Sequence, residues 1–212
     1  MSVFVGKIPR GLYAITDESL GIGEEMFSMV EAALQGGAVF LQLRDKTRSD
    51  EVLLSVARRL KALCDEYGAL FIVNDRIDLA LESDAHGVHL GKDDGDVVLA
   101  RKVLGKDKII GVSCYDELDR AKAMKEQGAD YVAFGSFFPS PTKPNAVRAS
   151  ISLLRQAKSE LCMPVCAIGG ITPENAKELI EAGADMLAVI SALWGTEDVS
   201  HRASVFSRLF SS

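Results

Sequence analysis

The chain has 212 residues, 48% hydrophobic and 25% charged, a balance that supports one cored globular unit and excludes disordered, collagenous and disulfide-scaffold proteins. With 24 Lys and Arg against 30 Asp and Glu the formal charge is −6, which argues against a general binder of nucleic acid or anionic membranes but leaves room for local cations in a pocket. There is no signal-like N-terminus and no apolar run long enough to span a bilayer, so a cytoplasmic protein without nucleic-acid or membrane partners is expected.

Along the chain one unit recurs. An amphipathic stretch ends in Gly-Ala and runs directly into a short apolar segment, at 35–43, 67–73, 127–135 and 182–190. Glycine ends a helix because it accepts a left-handed backbone without a Cβ clash, and the β-branched and aromatic run behind it reads as a buried strand. Strands are expected near 11–16, 38–43, 69–73, 86–89, 108–112, 130–134, 164–167 and 185–190. Helical spacing is present at 51–67, 118–127 and 173–182, with Asp50 and Thr172 as candidate caps. Eight alternating strand and helix units predict a parallel sheet covered by helices. A single α/β domain over 1–212, a (β/α)8 TIM barrel, is the expectation, and an open doubly wound sheet is the alternative.

In such a barrel the chemistry gathers at the carboxyl ends of the strands. The second strand ends in Gln42-Leu43-Arg44-Asp45-Lys46, and alternation puts Gln42 and Arg44 on the face opposite Leu41 and Leu43. Arg44 and Lys46 read either as a solvated charge run or as anion ligands, and their place just past an apolar strand favours the second. The next strands deliver Asn74-Asp75, then His89 followed by Asp93-Asp94, then Gly111-Val112-Ser113. Asp75 and Asp94 are candidate helix caps or, equally, two carboxylates for a shared Mg²⁺. The sixth strand leads into Gly135-Ser136 and Ser140-Pro141-Thr142-Lys143, the seventh into Gly169-Gly170-Ile171-Thr172, the eighth into Ser191. Gly169-Gly170 reads as a tight turn whose backbone N–H groups, beside the last loop, form a phosphate site.

His89 inside an apolar strand reads as a hydrogen-bonded core histidine, and His86 and His201 fall in no constellation. Cys64, Cys114, Cys162 and Cys166 lack metal spacing and read as free thiols packed in the core, with Cys114 facing solvent as a variant of that reading.

The segments Leu12-Tyr13-Ala14-Ile15-Thr16-Asp17, Gln42-x-Arg44-x-Lys46, Asn74-Asp75-Arg76, Gly87-Val88-His89-Leu90-Gly91 with Asp94, and Ala167-Ile168-Gly169-Gly170-Ile171 together resemble the thiamine-phosphate synthase family over nearly the whole chain. That family is a (β/α)8 barrel that joins an aminopyrimidine diphosphate to a thiazole phosphate with Mg²⁺. The resemblance implies that Asp75 and Asp94 bind Mg²⁺ and that Arg44, Lys46, Asn74 and Lys143 hold the diphosphate. It puts Gln42 at the pyrimidine, Ser113 near the diphosphate and reacting methylene, and Ser140 and Thr142 at the hydroxyl positions of the sixth loop. The backbone of Gly170, Ile190 and Ser191 then meets the thiazole phosphate. Arg44, Ser113 and Lys143 are the residues implied in the chemical step, the partners are these two small substrates, and a homo-oligomer is left open.

This chain has Lys92 where the family usually has Gln, and Gly135-Ser136 where it usually has Gly-Pro. Thiazole tautomerase-like paralogues share the Ala-Ile-Gly-Gly segment but carry a His at the position of Ser136 and lack the Asn-Asp pair. A non-catalytic barrel that binds a thiamine precursor is a second alternative. Another phosphate-binding barrel, such as a sugar-phosphate isomerase or epimerase, is a third alternative, but its chemistry requires an acid/base pair and the Arg, Lys and Mg²⁺-rich rim suits diphosphate departure better.

Overall fold

The computed structural model describes residues 8–92, 95–139 and 147–211. Eight parallel strands, β1 (Gly11–Ile15), β2 (Phe40–Leu43), β3 (Leu70–Asn74), β4 (Gly87–Leu90), β5 (Ile109–Tyr115), β6 (Tyr131–Phe134), β7 (Val165–Ile168) and β8 (Met186–Val189), follow one another around a closed barrel. β1 pairs with both β2 and β8, which rules out the open doubly wound sheet. The outer layer is α1 (Glu24–Gln35), α2 (Asp50–Glu66), α3 (Ile77–Glu82), α4 (Val97–Leu104), α5 (Leu118–Glu126), α6 (Ile151–Leu161), α7 (Pro173–Glu181), the short α8 (Ser191–Trp194) and α9 (Val199–Arg208). None of these helices is long and apolar enough to cross a membrane.

Period-two alternation sorts the strands into two cores. Leu12, Leu41, Leu43, Phe71, Val73 and Val88 face the helices, whereas Tyr13, Phe40, Leu70, Ile72, Tyr131, Cys166 and Met186 fill the barrel. Gly111 has to be glycine for this filling, since a Cβ there would lie 1.9 Å from Cζ of Tyr131. β5 runs three residues past its expected end, because a register shift between Ser113 and Tyr115 lets it continue along β6.

The amino-terminal rim is pinned by a repeated device. The residue just before each of β4, β6 and β8 accepts a hydrogen bond from a backbone N–H of the preceding strand. His86 Nδ1 takes Phe71 N–H at 2.9 Å, Asp130 Oδ2 takes Ile110 N–H at 2.7 Å, and Asp185 Oδ2 takes Val165 N–H at 2.9 Å. His86, which fell in no constellation, thus has a structural partner. At the far end Trp194 Nε1 donates to the Ile15 carbonyl at 2.6 Å and ties the last loop to the first strand.

Several local expectations are corrected. Asp50 is the first residue of α2, with Ser49 in the cap position, while Thr172 does cap α7, its N–H bonded to Asn175 Oδ1 at 2.9 Å. The α4 cap is Asp96, whose carboxylate accepts from Val98 and Leu99 N–H at 2.7 and 3.0 Å, and Arg76 holds the cap position of α3. So Asp75 is not a cap, and Asp96 fills at α4 the role expected of Asp94, which lies outside the described residues. Cys64, Cys114 and Cys166 are buried as expected for core thiols, which ends the solvent-facing reading of Cys114, but Cys162 is exposed at the end of α6.

Candidate active site

A cavity of about 460 Å³ opens at the carboxyl ends of the strands. Of the residues expected at the site, Gln42, Arg44, Asn74, Ser113, Gly170, Ile190 and Ser191 line it together. Lys46 and Asp75 stand outside the lining and are joined to it through Asn74, whose Nδ2 donates to Asp75 Oδ2 at 2.6 Å, while Lys46 Nζ lies 3.1 Å from that same oxygen. Asp94, Ser140, Thr142 and Lys143 lie outside the described residues.

The cationic side is built by the turn after β2. Asp45 is buried and accepts the N–H groups of Thr47 and Arg48 at 2.8 and 2.9 Å, which folds the loop back over its own strand. Burial works to raise the Asp45 carboxyl, but these donors and the Arg48 guanidinium outweigh it and bring the pKa down to about 2. Glu18, in the loop after β1, accepts Lys46 N–H at 2.9 Å and pairs with Arg44 Nη1 at 3.5 Å, so one carboxylate aims two basic residues. Asp75 has a φ of 64°, a left-handed backbone that Asp tolerates better than most residues, and that turn carries its carboxylate toward Lys46.

The opposite side is backbone. Gly170 has a φ of 63°, and a Cβ on it would meet the Pro139 carbonyl oxygen at 2.3 Å. Asn175 holds this turn at both ends, donating to the Gly170 carbonyl at 3.0 Å and accepting from Thr172 N–H. The N–H groups of Gly170 and Ser191 have no carbonyl partner among the described residues, and both residues line the cavity. Ser136, at the cavity wall, turns its hydroxyl to the Phe138 carbonyl at 2.7 Å. Lys92 pairs with Glu117 at 3.0 Å.

The floor is a run of hydrogen bonds through the barrel. Gln42 Nε2 donates to Tyr13 OH at 2.8 Å, Tyr13 OH meets Tyr131 OH at 2.9 Å, Tyr131 OH meets His89 Nδ1 at 2.9 Å, and His89 Nε2 meets Ser113 Oγ at 2.9 Å. His89 is therefore the hydrogen-bonded core histidine expected. Tyr131, Tyr115 and Glu18 were not singled out from the sequence, and Tyr13 stood only within a resemblance segment with no role, although the parity that turns Gln42 inward also turns Tyr13 inward with Ile15 and Tyr131 with Ala133.

Chemically the cavity offers cations and N–H donors around an apolar wall. Its cysteine, Cys166, is held protonated by burial, and burial pushes the Cys114 thiol, on the outer face of β5, up to about 12. The arrangement suits holding two anionic groups on opposite sides and orienting what lies between them.

Comparison with known proteins agrees with this geometry. Residues 12–193 match the family model described as thiamine monophosphate synthase. The thiamine-phosphate synthase of Thioalkalivibrio sulfidiphilus is 48% identical over 205 residues, covering 97% of each chain, and that of Alcanivorax borkumensis is 52% identical, covering 89% of this chain and 87% of its own. Among solved structures, thiamine phosphate pyrophosphorylase from Pyrococcus furiosus superposes with a TM-score of 0.86 at 38% identity, over 95% of each chain. A (S)-3-O-geranylgeranylglyceryl phosphate synthase from Thermoplasma acidophilum, at a TM-score of 0.70 and 20% identity over 95% of this chain and 93% of its own, shares the barrel alone. With the family model running from β1 into α8, and relatives at about half identity matching nearly end to end, the chain belongs to the thiamine monophosphate synthase family.

Proposed function

We propose that this chain is a transferase that joins 4-amino-5-hydroxymethyl-2-methylpyrimidine diphosphate to 4-methyl-5-(2-phosphooxyethyl)thiazole, giving thiamine phosphate and pyrophosphate. The observation that carries the reading is the division of one cavity into a cationic side, with Arg44 and Asn74, and a backbone side, with Gly170 and Ser191. Two anionic substrates need two such sides. Arg44, Lys46 and Asn74 hold the diphosphate, joined by Lys143 from the loop after β6. Gln42 and Ser113 meet the pyrimidine, and the backbone of Gly170, Ile190 and Ser191 takes the thiazole phosphate. Ser140 and Thr142 supply hydroxyls from the same loop as Lys143.

The chemistry follows from what such a site can stabilise. The bond between the pyrimidine methylene and the diphosphate oxygen breaks, the electron pair leaves with diphosphate, and the electron-rich aminopyrimidine carries the resulting cation. The thiazole nitrogen, which bears no proton, then attacks the methylene, so no general base is required. Arg44, Lys46 and Lys143 offset the charge that develops on the leaving group. Anchoring the thiazole phosphate at the opposite wall holds the ring nitrogen in line with the methylene.

The donor set also fits Mg²⁺. Asp75 puts a carboxylate at the edge of the cavity beside Asn74 and Lys46, and Mg²⁺ rests on one or two carboxylates and completes its shell with water and substrate phosphate oxygens. Asp75, with Asp94, would hold it, and the ion when bound adds positive charge beside the diphosphate.

The test is a two-substrate assay. Thiamine phosphate and pyrophosphate are expected only when both substrates and Mg²⁺ are supplied. Binding of the thiazole phosphate without turnover would overturn this reading in favour of a non-catalytic precursor-binding barrel, and isomerisation of a thiazole alone would favour the tautomerase-like one.

A further inference from the structure

The hydrogen bonds beneath the cavity take a single direction once the Gln42 amide is set with its nitrogen toward Tyr13. Gln42 Nε2 donates to Tyr13, whose own hydroxyl proton is then available to Tyr131 at 2.9 Å. Tyr131 accepts from Tyr13 and passes its single proton to His89 Nδ1. In this direction Nδ1 is the unprotonated ring nitrogen and the proton sits on Nε2, aimed at Ser113 Oγ. Ser113, accepting from His89, turns its own proton away from the floor and toward the cavity it lines. Both phenols keep their protons, because burial pushes each of them above the usual tyrosine range.

We propose that Tyr13, Tyr131 and His89 are positioning residues that fix His89 as its Nε2–H tautomer and thereby set Ser113 as a hydrogen-bond donor and the Gln42 amide oxygen as an acceptor toward the substrate. The run crosses β2, β1, β6, β4 and β5, so two residues on separate strands are oriented by one chain of bonds. Three further features support a built device. Gly111 vacates the space that Tyr131 occupies. The His89 and Tyr131 rings stack at 5.6 Å between centroids, and the Tyr13 and Tyr131 rings meet edge-on at 6.1 Å. No buried side-chain polar atom among the described residues lacks a partner, so every member of the run is hydrogen-bonded. A donor on one strand and an acceptor on another match an aminopyrimidine, which carries ring-nitrogen acceptors and an amine donor. This last step rests on the proposed reaction; the tautomer does not.

The tautomer is read directly by imidazole ¹⁵N NMR on the intact protein, where three histidines are to be assigned. His89 is expected as a single Nε2–H tautomer, and Tyr131→Phe is expected to replace it by a mixture. An Nδ1–H tautomer in the unmodified protein, or an unchanged single tautomer in Tyr131→Phe, overturns the proposal. If Tyr131→Phe does not fold, the unmodified spectrum still decides, with His89→Gln and His89→Leu as the second pair. His89→Gln keeps a donor toward Ser113 and is expected to retain turnover that His89→Leu loses; equal loss in both overturns the positioning role. In the two-substrate assay Tyr131→Phe is expected to lower kcat/KM for the pyrimidine diphosphate about tenfold, the scale of one hydrogen bond to a reacting substrate, with the thiazole phosphate KM unchanged. The same change in a Ser113→Ala background is expected to add nothing, and an additive loss overturns the coupling. Absence of any synthase turnover in the unmodified protein counts against the proposed function alone, since the spectrum is recorded without substrate.

Discussion

Lys46 Nζ and Asp75 Oδ2 lie 3.1 Å apart, joining the loop after β2 to the end of β3 at the edge of the cavity. The pair places a cation and a carboxylate side by side where a diphosphate with its metal would bring both signs of charge. Asp75→Asn keeps a residue that tolerates the left-handed backbone and removes only the charge. Turnover is expected to fall about 100-fold or more, with the melting temperature unchanged, since a metal's charge stabilisation is worth several kcal/mol. Steady-state rates against Mg²⁺ concentration check this, and an unaltered Mg²⁺ dependence would sink the assignment of Asp75 to the metal.

Gly170→Ala separates the two sides of the cavity. The new Cβ would press on the Pro139 carbonyl, and Ala at a φ of 63° is strained by about 1 kcal/mol. The KM for the thiazole phosphate is expected to rise about tenfold while that for the pyrimidine diphosphate holds, the mark of a lost ground-state contact to one substrate. Varying each substrate in turn measures both.

Stability is expected to fall with acid at His86. Burial first, and then the nearby Lys61 ammonium, push its imidazole from 6.5 down to about 4. The folded form therefore stays neutral while the unfolded chain takes up a proton. Above pH 6.5 the two states bind equally; as pH drops from 6.5 toward 4 the unfolded state gains by about 3 kcal/mol at most. His86→Asn, which keeps an acceptor near the Phe71 N–H, is expected to flatten that slope in urea unfolding between pH 7 and 4.5. An equally steep slope in the variant would assign the loss to other groups.

Gly111→Ala tests the filling of the barrel. A methyl group 1.9 Å from the Tyr131 ring has to displace it, and overpacking of this kind costs about 3 kcal/mol. A melting temperature lowered by several degrees, together with loss of the single His89 tautomer, is expected; a variant as stable as the parent would show that the ring has room to move.

The pairing of β1 with β8 decided the closure, while the sequence by itself determined the eight strands to within a few residues, their alternation with helices, and the rim set Gln42, Arg44, Asn74, Ser113, Gly170 and Ser191. These are local properties. Alternation decides which way a side chain points, a glycine ends a helix, and strand ends share one rim whatever the neighbours are. Only the tertiary structure decided what those side chains touch. Tyr13 and Tyr131 are 118 residues apart and meet because β1 and β6 face each other across a barrel whose circumference no local pattern records. Asp75 looked equally like a cap and a ligand until Arg76, in the cap position before α3, removed the first of these readings. His86 stood in no motif because the partner that its Nδ1 takes is a backbone N–H on another strand, and a backbone group carries no signature in the sequence. Pattern fixes direction, and contact waits on closure.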